Sequence, residues 1–182
     1  MPTILHNLLS TTDLHEPKGA STAAASDVYM ADGAGSGTWQ RTAVHGGWRY
    51  AEIGTGTSYD TPTDYTLMDV VGVTTTLHDF TNNSLGRLTY TGTPTRNLHM
   101  VLDASVKHST GSGQEIFFEV YKNDVATSSV NVITADSGNY QHIAMHYDGE
   151  GATDDYFEIF LKTSTGNVII HAAYMYIMGV IA

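Results

Sequence analysis

The feature that most constrains the fold is a series of short segments, from Trp48 onward, in which apolar and polar residues alternate. Alternation with a period of two predicts β-strands that bury one face. Turn sequences rich in Gly and Asn separate the segments at spacings typical of a sandwich or barrel. The predicted strands cover residues 48–53, 65–71, 85–91, 97–107, 114–122, 128–134, 140–147, 155–163 and 167–181. No segment has a helical period, so we predict an all-β fold.

The length, net charge and cysteine content of the chain exclude further classes of protein. The chain has 182 residues, which suits one domain of roughly 100–200 residues with an additional arm. Eight Lys and Arg against nineteen Asp and Glu give a net charge of -11, which repels a phosphate backbone and argues against nucleic acid as a partner. The absence of cysteine excludes a disulfide framework and a thiolate zinc site.

Neither export nor membrane insertion is expected. The N-terminal segment lacks a basic start followed by an apolar run of about 7–15 residues, so no secretory signal is predicted. The longest apolar stretch, residues 168–182, is shorter than the ~20 residues that a membrane helix needs. We therefore expect no membrane partner.

Residues 1–46 differ in composition from the remainder, because small residues and glycine dominate them. A segment this poor in apolar side chains rarely offsets its own ordering entropy. We expect an N-terminal arm that becomes ordered against another surface and contains a short hairpin of strands around 28–31 and 38–41. Residues 47–182 then form the sandwich.

Three predicted strands are apolar on both faces. A single sandwich buries only one face of each strand, and aromatic side chains are enriched in permanent subunit interfaces. We predict that the second faces form such an interface, through Phe117, Tyr121, Tyr156, Phe160, Tyr174 and Tyr176. Coverage by loops or by the N-terminal arm is the alternative.

Two parts of the chain resemble known proteins. The stretch Asp155-Tyr-Phe-Glu-Ile-Phe-Leu-Lys162, followed by Asn167-Val-Ile-Ile170 and a terminal apolar strand, and preceded by Phe118-Glu-Val-Tyr-Lys-Asn123, resembles the C1q/TNF-like jelly rolls of bacteriophage virion proteins. That resemblance covers residues 95–182. A second stretch, from Asp13-Leu-His-Glu-Pro-Lys-Gly19 to Trp39, resembles an N-terminal segment of head-fibre and decoration proteins of tailed phages.

These resemblances imply a jelly-roll sandwich and a non-enzymatic homotrimer on the capsid exterior, held there by its N-terminal part. The implied function is that of a capsid decoration (cement) protein or head fibre, with the major capsid protein or another virion protein as partner. We expect the attachment residues to be Leu14, His15, Glu16, Pro17 and Lys18. Pro17 favours an extended chain, and extended segments bind by adding a strand to a neighbouring sheet.

Two other functions remain open. A tail-fibre or receptor-binding tip would recognise host surface glycans through loops such as 57–66 or 149–154, using exposed aromatic platforms. Trp39 and Trp48 lie near the arm, which favours attachment over glycan capture. A sugar-active enzyme domain is the weaker alternative.

No catalytic residues, cofactor or metal site are predicted. No nucleophile elbow is present, and no carboxylate pair can be nominated for glycoside hydrolysis. His142 and His146 lie ~13 Å apart along a predicted strand, too far to share an ion. We expect structural roles for them and for His99, His108 and His171, unless a threefold axis gathers three copies of one histidine. The acidic segment 148–155 lacks EF-hand spacing, so we expect a solvated turn rather than a calcium loop.

Overall fold

The computed structural model describes Ala23 and residues 27–31, 37–51, 57–60, 64–70, 73–83 and 85–181, with only the backbone given for residues 51, 57, 59, 60 and 181. Every regular element in these ranges is a β-strand, which confirms the all-β prediction, and none of them contains a helix able to cross a membrane. The strands are β1 (Asp27–Ala31), β2 (Gly37–Arg41), β3 (Ala43–Ala51), β4 (Thr57–Asp60), β5 (Thr66–Leu67), β6 (Val73–Thr74), β7 (Phe80–Asn82), β8 (Leu88–Tyr90), β9 (Arg96–His108), β10 (Gln114–Lys122), β11 (Val125–Ala135), β12 (Gln141–Gly151), β13 (Tyr156–Thr163) and β14 (Asn167–Ile181).

The chain divides into two compact units, residues 1–42 and 43–182. In the first unit β1 and β2 form the predicted antiparallel hairpin, with the rings of Tyr29 and Trp39 in edge contact at 5.5 Å between centroids. The predicted attachment residues lie outside the described residues; they are Leu14, His15, Glu16, Pro17 and Lys18.

The second unit begins at Ala43, four residues before the boundary predicted from the sequence. Residues 43–46 belong to β3, because Val44 is fully buried in the core and β3 pairs with β14 from Ala43 onward. Residues 1–46 were predicted to form an arm because they contain few apolar side chains. Gly46 lies within β3, where Phe80 packs so closely over it that a Cβ there would lie 2.6 Å from the Cβ of Phe80.

Two six-stranded antiparallel sheets form the sandwich. The β13 sheet has the order β11-β10-β13-β8-β7, and β5 also pairs with β13. The β14 sheet has the order β12-β9-β14-β3-β6, and β4 also pairs with β14. Most hydrogen-bonded neighbours within each sheet are distant in sequence, so the strands are not connected as a simple meander.

The core lies between the two sheets and takes side chains from both. Phe118, Ile159 and Leu161 point inward from the β13 sheet, and Leu102 and Met175 from the β14 sheet, all at most 1% exposed. Trp48 is fully buried, and its Nε1 donates a hydrogen bond of 2.9 Å to the carbonyl oxygen of Gly86. Burial of the polar indole nitrogen is therefore compensated.

Candidate interaction surfaces

The six aromatic residues predicted to form one interface lie on two opposite outer faces of the sandwich. Phe117 and Tyr121 on β10, with Tyr156 and Phe160 on β13, alternate with buried residues and so point away from the core on the β13 sheet. Tyr174 and Tyr176 do the same on the β14 sheet. The structure therefore brings together the first four residues and, separately, the last two.

We call the outer surface of β10 and β13, with Tyr65 and Arg87, the aromatic face. Tyr121 and Phe160 stack at 4.0 Å between ring centroids, and Tyr65 lies 6.2 Å from Tyr121. Burial, together with the charge and hydrogen bond of Glu119, raises the pKa of Tyr65 to about 12. Glu119 is only 7% exposed, so Tyr65 supplies a partner to a carboxylate that is largely withdrawn from water.

Cationic side chains of the same chain cover the remaining rings of the aromatic face. The Nζ of Lys162 lies 4.3 Å from the ring centroid of Tyr65 and 5.2 Å from that of Phe117. The guanidinium of Arg87 lies 3.9 Å from the centroid of Tyr156. These cation–π contacts and the ring stacking stabilise the arrangement of the rings within the protomer.

A buried carboxylate completes this network. The Nε of Arg87 donates a hydrogen bond of 2.9 Å to Glu158, which is 2% exposed. The same hydrogen bond holds the pKa of Arg87 above its ordinary value, against the opposing effect of burial. Arg87 and Tyr65 of the same protomer thus supply partners to the two buried carboxylates of the aromatic face, Glu158 and Glu119.

The acidic turn between β12 and β13 is organised by Asp155. Its carboxylate accepts hydrogen bonds from the Asn123 amide at 2.6 Å and the Ala152 backbone N–H at 2.8 Å, and it pairs with the Lys122 ammonium at 2.7 Å. Burial would raise the pKa of Asp155, but these bonds and the charge of Lys122 outweigh it and lower the pKa. Among the described residues, no three His, Asp or Glu side chains are grouped as a metal site requires.

The outer surface of the β14 sheet has a different character, and we call it the histidine face. Three of its large apolar residues are exposed: Tyr174, Met178 and Val180 are 38%, 46% and 57% exposed. Tyr174 and Tyr176 stack with 6.1 Å between centroids. Its polar members are His45, Arg49, His99, Asp103, Lys107, His142, His146, Asp148 and Glu150, with His78 beside His45.

The histidines of this face occur in close contacts. The rings of His45 and His78 lie 4.5 Å apart, and those of His99 and His146 lie 5.5 Å apart. Asp148 lies 2.7 Å from the Nδ1 of His99. The alternation within each strand places a single histidine inside or outside, but only the register between strands shows that they share one face. This cluster could therefore not be predicted from the sequence.

A hollow of about 380 Å³ lies on the histidine face. Its floor consists of small residues, among them Ser105 and Ala172, next to the bulge in β14 between Ile170 and Ala172. Arg49, Asp103, His142 and Tyr174 contribute to its lining.

Three other residues singled out from the sequence, His108, His171 and Trp48, pack within the protomer. His108 is fully buried, and its ring nitrogens contact the carbonyl oxygens of Thr110 and Thr165, which links two turns. The ring of His171 packs 4.9 Å from that of Tyr140. Trp48 is buried and so offers no platform for a glycan.

Comparison with known proteins establishes the fold. No protein-family model and no curated protein matches the sequence. Among solved structures, the PRD1 vertex protein P5 is similar at 13% identity and a TM-score of 0.54, over 76% of this chain and 97% of that chain. Murine APRIL is similar at 8% identity and a TM-score of 0.50, over 75% of this chain and 99% of that chain. These likenesses confirm the predicted TNF-like jelly roll.

Proposed function

We propose that the chain is a structural virion protein, a capsid decoration protein or head fibre that binds the outer capsid surface as a homotrimer. The observation that carries this proposal is the jelly roll shared with a protein named as the PRD1 vertex protein, over nearly its whole length. The phage-like stretch from Asp13 to Trp39 supports it from the sequence. The chain is not an enzyme in this proposal, and it needs no cofactor.

The trimer contact is assigned to the histidine face. Tyr174, Met178 and Val180 are exposed there, whereas the rings of the aromatic face are partly buried, beside Arg87 and Lys162. Four strands of this face lie ~4.8 Å apart, and each contributes about 11 residues with a rise of ~3.3 Å per residue. The face therefore has an area of about 700 Å². A standard-size interface buries about 600–1,000 Å² per partner, and the area of this face lies within that range. Of the six residues predicted for the interface, Tyr174 and Tyr176 keep that role.

Attachment to the capsid is assigned to the N-terminal unit, with Leu14, His15, Glu16, Pro17 and Lys18 as contact residues. An extended segment gains backbone hydrogen bonds at a sheet edge, while its alternate side chains fill pockets. Three arms on one trimer increase the total affinity through effective concentration when the capsid sites match their spacing.

Reconstitution of virions that lack the protein tests this proposal. The full chain should restore the density on the capsid surface, a chain that begins at Ala43 should remain trimeric but not bind, and residues 2–42 fused to an unrelated trimeric domain should bind. Substituting Glu16→Ala and Lys18→Ala together should weaken binding without altering the trimer. Full occupancy by the chain beginning at Ala43 would refute arm attachment, and absence of the full chain from virions would refute the virion function.

A further inference from the structure

We propose that the open side of the sandwich, where β11 and β12 end their sheets, is closed by Asn131, so that copies of this chain do not join there edge to edge. The surface concerned is the backbone edge of β12, and the excluded partner is β12 of a second copy. The closure acts within one protomer, so it does not depend on the proposed trimer.

The two edge strands lie next to each other on one side of the sandwich. Among the described residues, β11 pairs only with β10, and β12 pairs only with β9. An edge strand presents N–H and C=O groups to which a strand of another molecule can add. Each of these two edges is 11 residues long, so each offers a long template for such an addition.

Asn131 of β11 binds a backbone group of each edge. Its Nδ2 donates a hydrogen bond of 2.6 Å to the carbonyl oxygen of Ala144 on β12. Its Oδ1 accepts a hydrogen bond of 2.8 Å from the backbone N–H of Val132 on β11. One side chain therefore satisfies an acceptor of one sheet and a donor of the other, and it fastens the two edges to each other.

A second side chain binds the same edge of β12 further along the strand. Backbone groups of residues two apart in an antiparallel strand point to the same edge. Since the carbonyl of Ala144 points to the open edge, those of His146 and Asp148 do so as well. Beyond them, the Nζ of Lys122 donates a hydrogen bond of 2.7 Å to the carbonyl oxygen of Glu150. A strand added to this edge would have to displace both side chains.

The shape of β11 protects its own edge. Residues 127–129 form a bulge opposite Val120, where the register between β10 and β11 shifts. Ser128, at the centre of the bulge, has a φ of 63°. The Thr127 hydroxyl donates a hydrogen bond of 2.8 Å to the carbonyl oxygen of Val120, so a side chain binds this oxygen where the strands are out of register. A bulge bends and twists an edge, which hinders the addition of a straight strand.

The sequence around Asn131 shows why the edge needs this residue. Val130 and Val132 are 46% and 45% exposed on the outer side of β11, and Ile133 follows them. Without Asn131, residues 130–133 would be an uninterrupted apolar run on an edge strand, the pattern that promotes association between sheets. Asparagine is a poor strand former, and the two hydrogen bonds explain its place within this run.

Substituting Asn131→Val in the full chain tests the proposal. Valine favours the strand, so β11 should remain, whereas both side-chain hydrogen bonds are lost. Pairing of two β12 edges joins two copies about a twofold axis. Light scattering should therefore give at least about twice the wild-type mass, rising with protein concentration, while the wild type forms no species larger than three protomers. Circular dichroism should show a folded β protein in both cases.

Amide hydrogen exchange locates the new contact. Peptides from β12 should exchange more slowly in the Asn131→Val protein than in the wild type, because strand pairing protects their edge amides. Thr134→Val is the matched control: it adds an exposed valine to the same strand but leaves the bonds of Asn131, so the mass should not change. If Asn131→Val does not fold, Lys122→Met, which removes the bond to Glu150, should raise the mass in the same way.

Wild-type mass for a folded Asn131→Val protein, or for Lys122→Met where that variant does not fold, would overturn the proposal. An equal increase in mass for Thr134→Val would also overturn it, because added apolar surface alone would then explain the association. Larger species without slower exchange in β12 would have the same consequence. A wild type of protomer mass would contradict only the proposed trimer.

Discussion

Single charged side chains determine the stability of the turns that join the two sheets. Asp155 illustrates this, because a cation, an amide and a backbone N–H all bind its carboxylate. Asp155→Asn keeps the shape but loses the charge, and we expect it to lower the free energy of unfolding by about 1–3 kcal/mol at pH 7.

The effect of Asp155→Asn should depend on pH in a defined direction. The pKa of Asp155 is lowered in the folded state, so its contribution is present above the unfolded value of about 4 and is lost as pH falls through the folded value. Urea denaturation of both proteins at pH 7 and pH 2.5 measures this. Asp154→Asn, at an exposed neighbour, should change little. An equal deficit at both pH values would contradict the assignment.

Tyr65 provides a second prediction at this scale. Tyr65→Phe removes the hydrogen bond to Glu119, which is only 7% exposed, so the free energy of unfolding should fall by about 1–3 kcal/mol at pH 7. Because the pKa of Tyr65 is raised to about 12, its contribution is present below pH 10 and is lost as pH rises through 12.

Ultraviolet titration of tyrosinate should therefore show a late-ionising tyrosine in the wild type that is missing in the Tyr65→Phe protein. Tyr29→Phe, in the hairpin of the first unit, serves as the control and should leave the stability of the sandwich unchanged. Identical late titration in wild type and Tyr65→Phe would refute the assignment of the raised pKa.

Strands differ in how far their sequences predict them. The long strands β9, β10, β12, β13 and β14 alternate over at least eight residues, and the predicted bounds differ from the observed ones by at most four residues. The short strands β4, β6 and β7 were not predicted. A strand of two to four residues shows no period, and its existence depends on the partner that pairs with it.

The register between strands could not be predicted from the sequence either. Alternation correctly places Phe117 and Phe160 on an outer face, but it does not show that Lys162, Tyr65 and Arg87 cover that face. Tyr65 and Arg87 lie close to β5 and β8, whose pairing with β13 is a tertiary property. For the same reason, the grouping of the histidines on one face could not be predicted from the sequence.

Close packing between strands of the β14 sheet leads to a third prediction. Leu98 on β9 lies over Gly179 of β14, where an added Cβ would come within 2.6 Å of its Cδ2 and within 2.9 Å of a methyl carbon of Val44. Gly179→Val should therefore destabilise the protomer by about 1–3 kcal/mol through overpacking.

Thermal denaturation measures this effect. Adding Leu98→Ala to Gly179→Val should recover part of the loss, because it makes room for the new side chain. Gly138→Ala, where no atom lies within 4 Å of the added Cβ, is the matched control and should be nearly neutral. Full stability of the Gly179→Val protein would contradict the packing described for this sheet.

For the whole molecule, the sequence correctly predicted a jelly roll and two apolar faces on several strands. It did not show that these faces lie on opposite sides of the sandwich, because that depends on which sheet each strand joins. The two faces differ in exposure: the rings of the aromatic face are partly buried, beside Arg87 and Lys162, while Tyr174, Met178 and Val180 are exposed. This difference underlies the proposed trimer contact.

A matched pair of substitutions follows from this difference. Tyr174→Asp introduces a charge on the histidine face, and a desolvated charge in a subunit contact is strongly unfavourable. Tyr156→Asp introduces the same charge on the aromatic face, next to Arg87. Both side chains lie at the surface of the protomer, so folding should be retained in both variants, as circular dichroism can verify.

The mass of the protein in solution at pH 7.5, measured by light scattering, tests most directly whether the protein forms a trimer through the histidine face. The protomer has a mass of 19.7 kDa, so three copies have about 59 kDa. We predict about 59 kDa for the wild type and for Tyr156→Asp, and the protomer mass for Tyr174→Asp. A wild-type protein of protomer mass, or a trimer that survives Tyr174→Asp but dissociates with Tyr156→Asp, would contradict the proposed assembly.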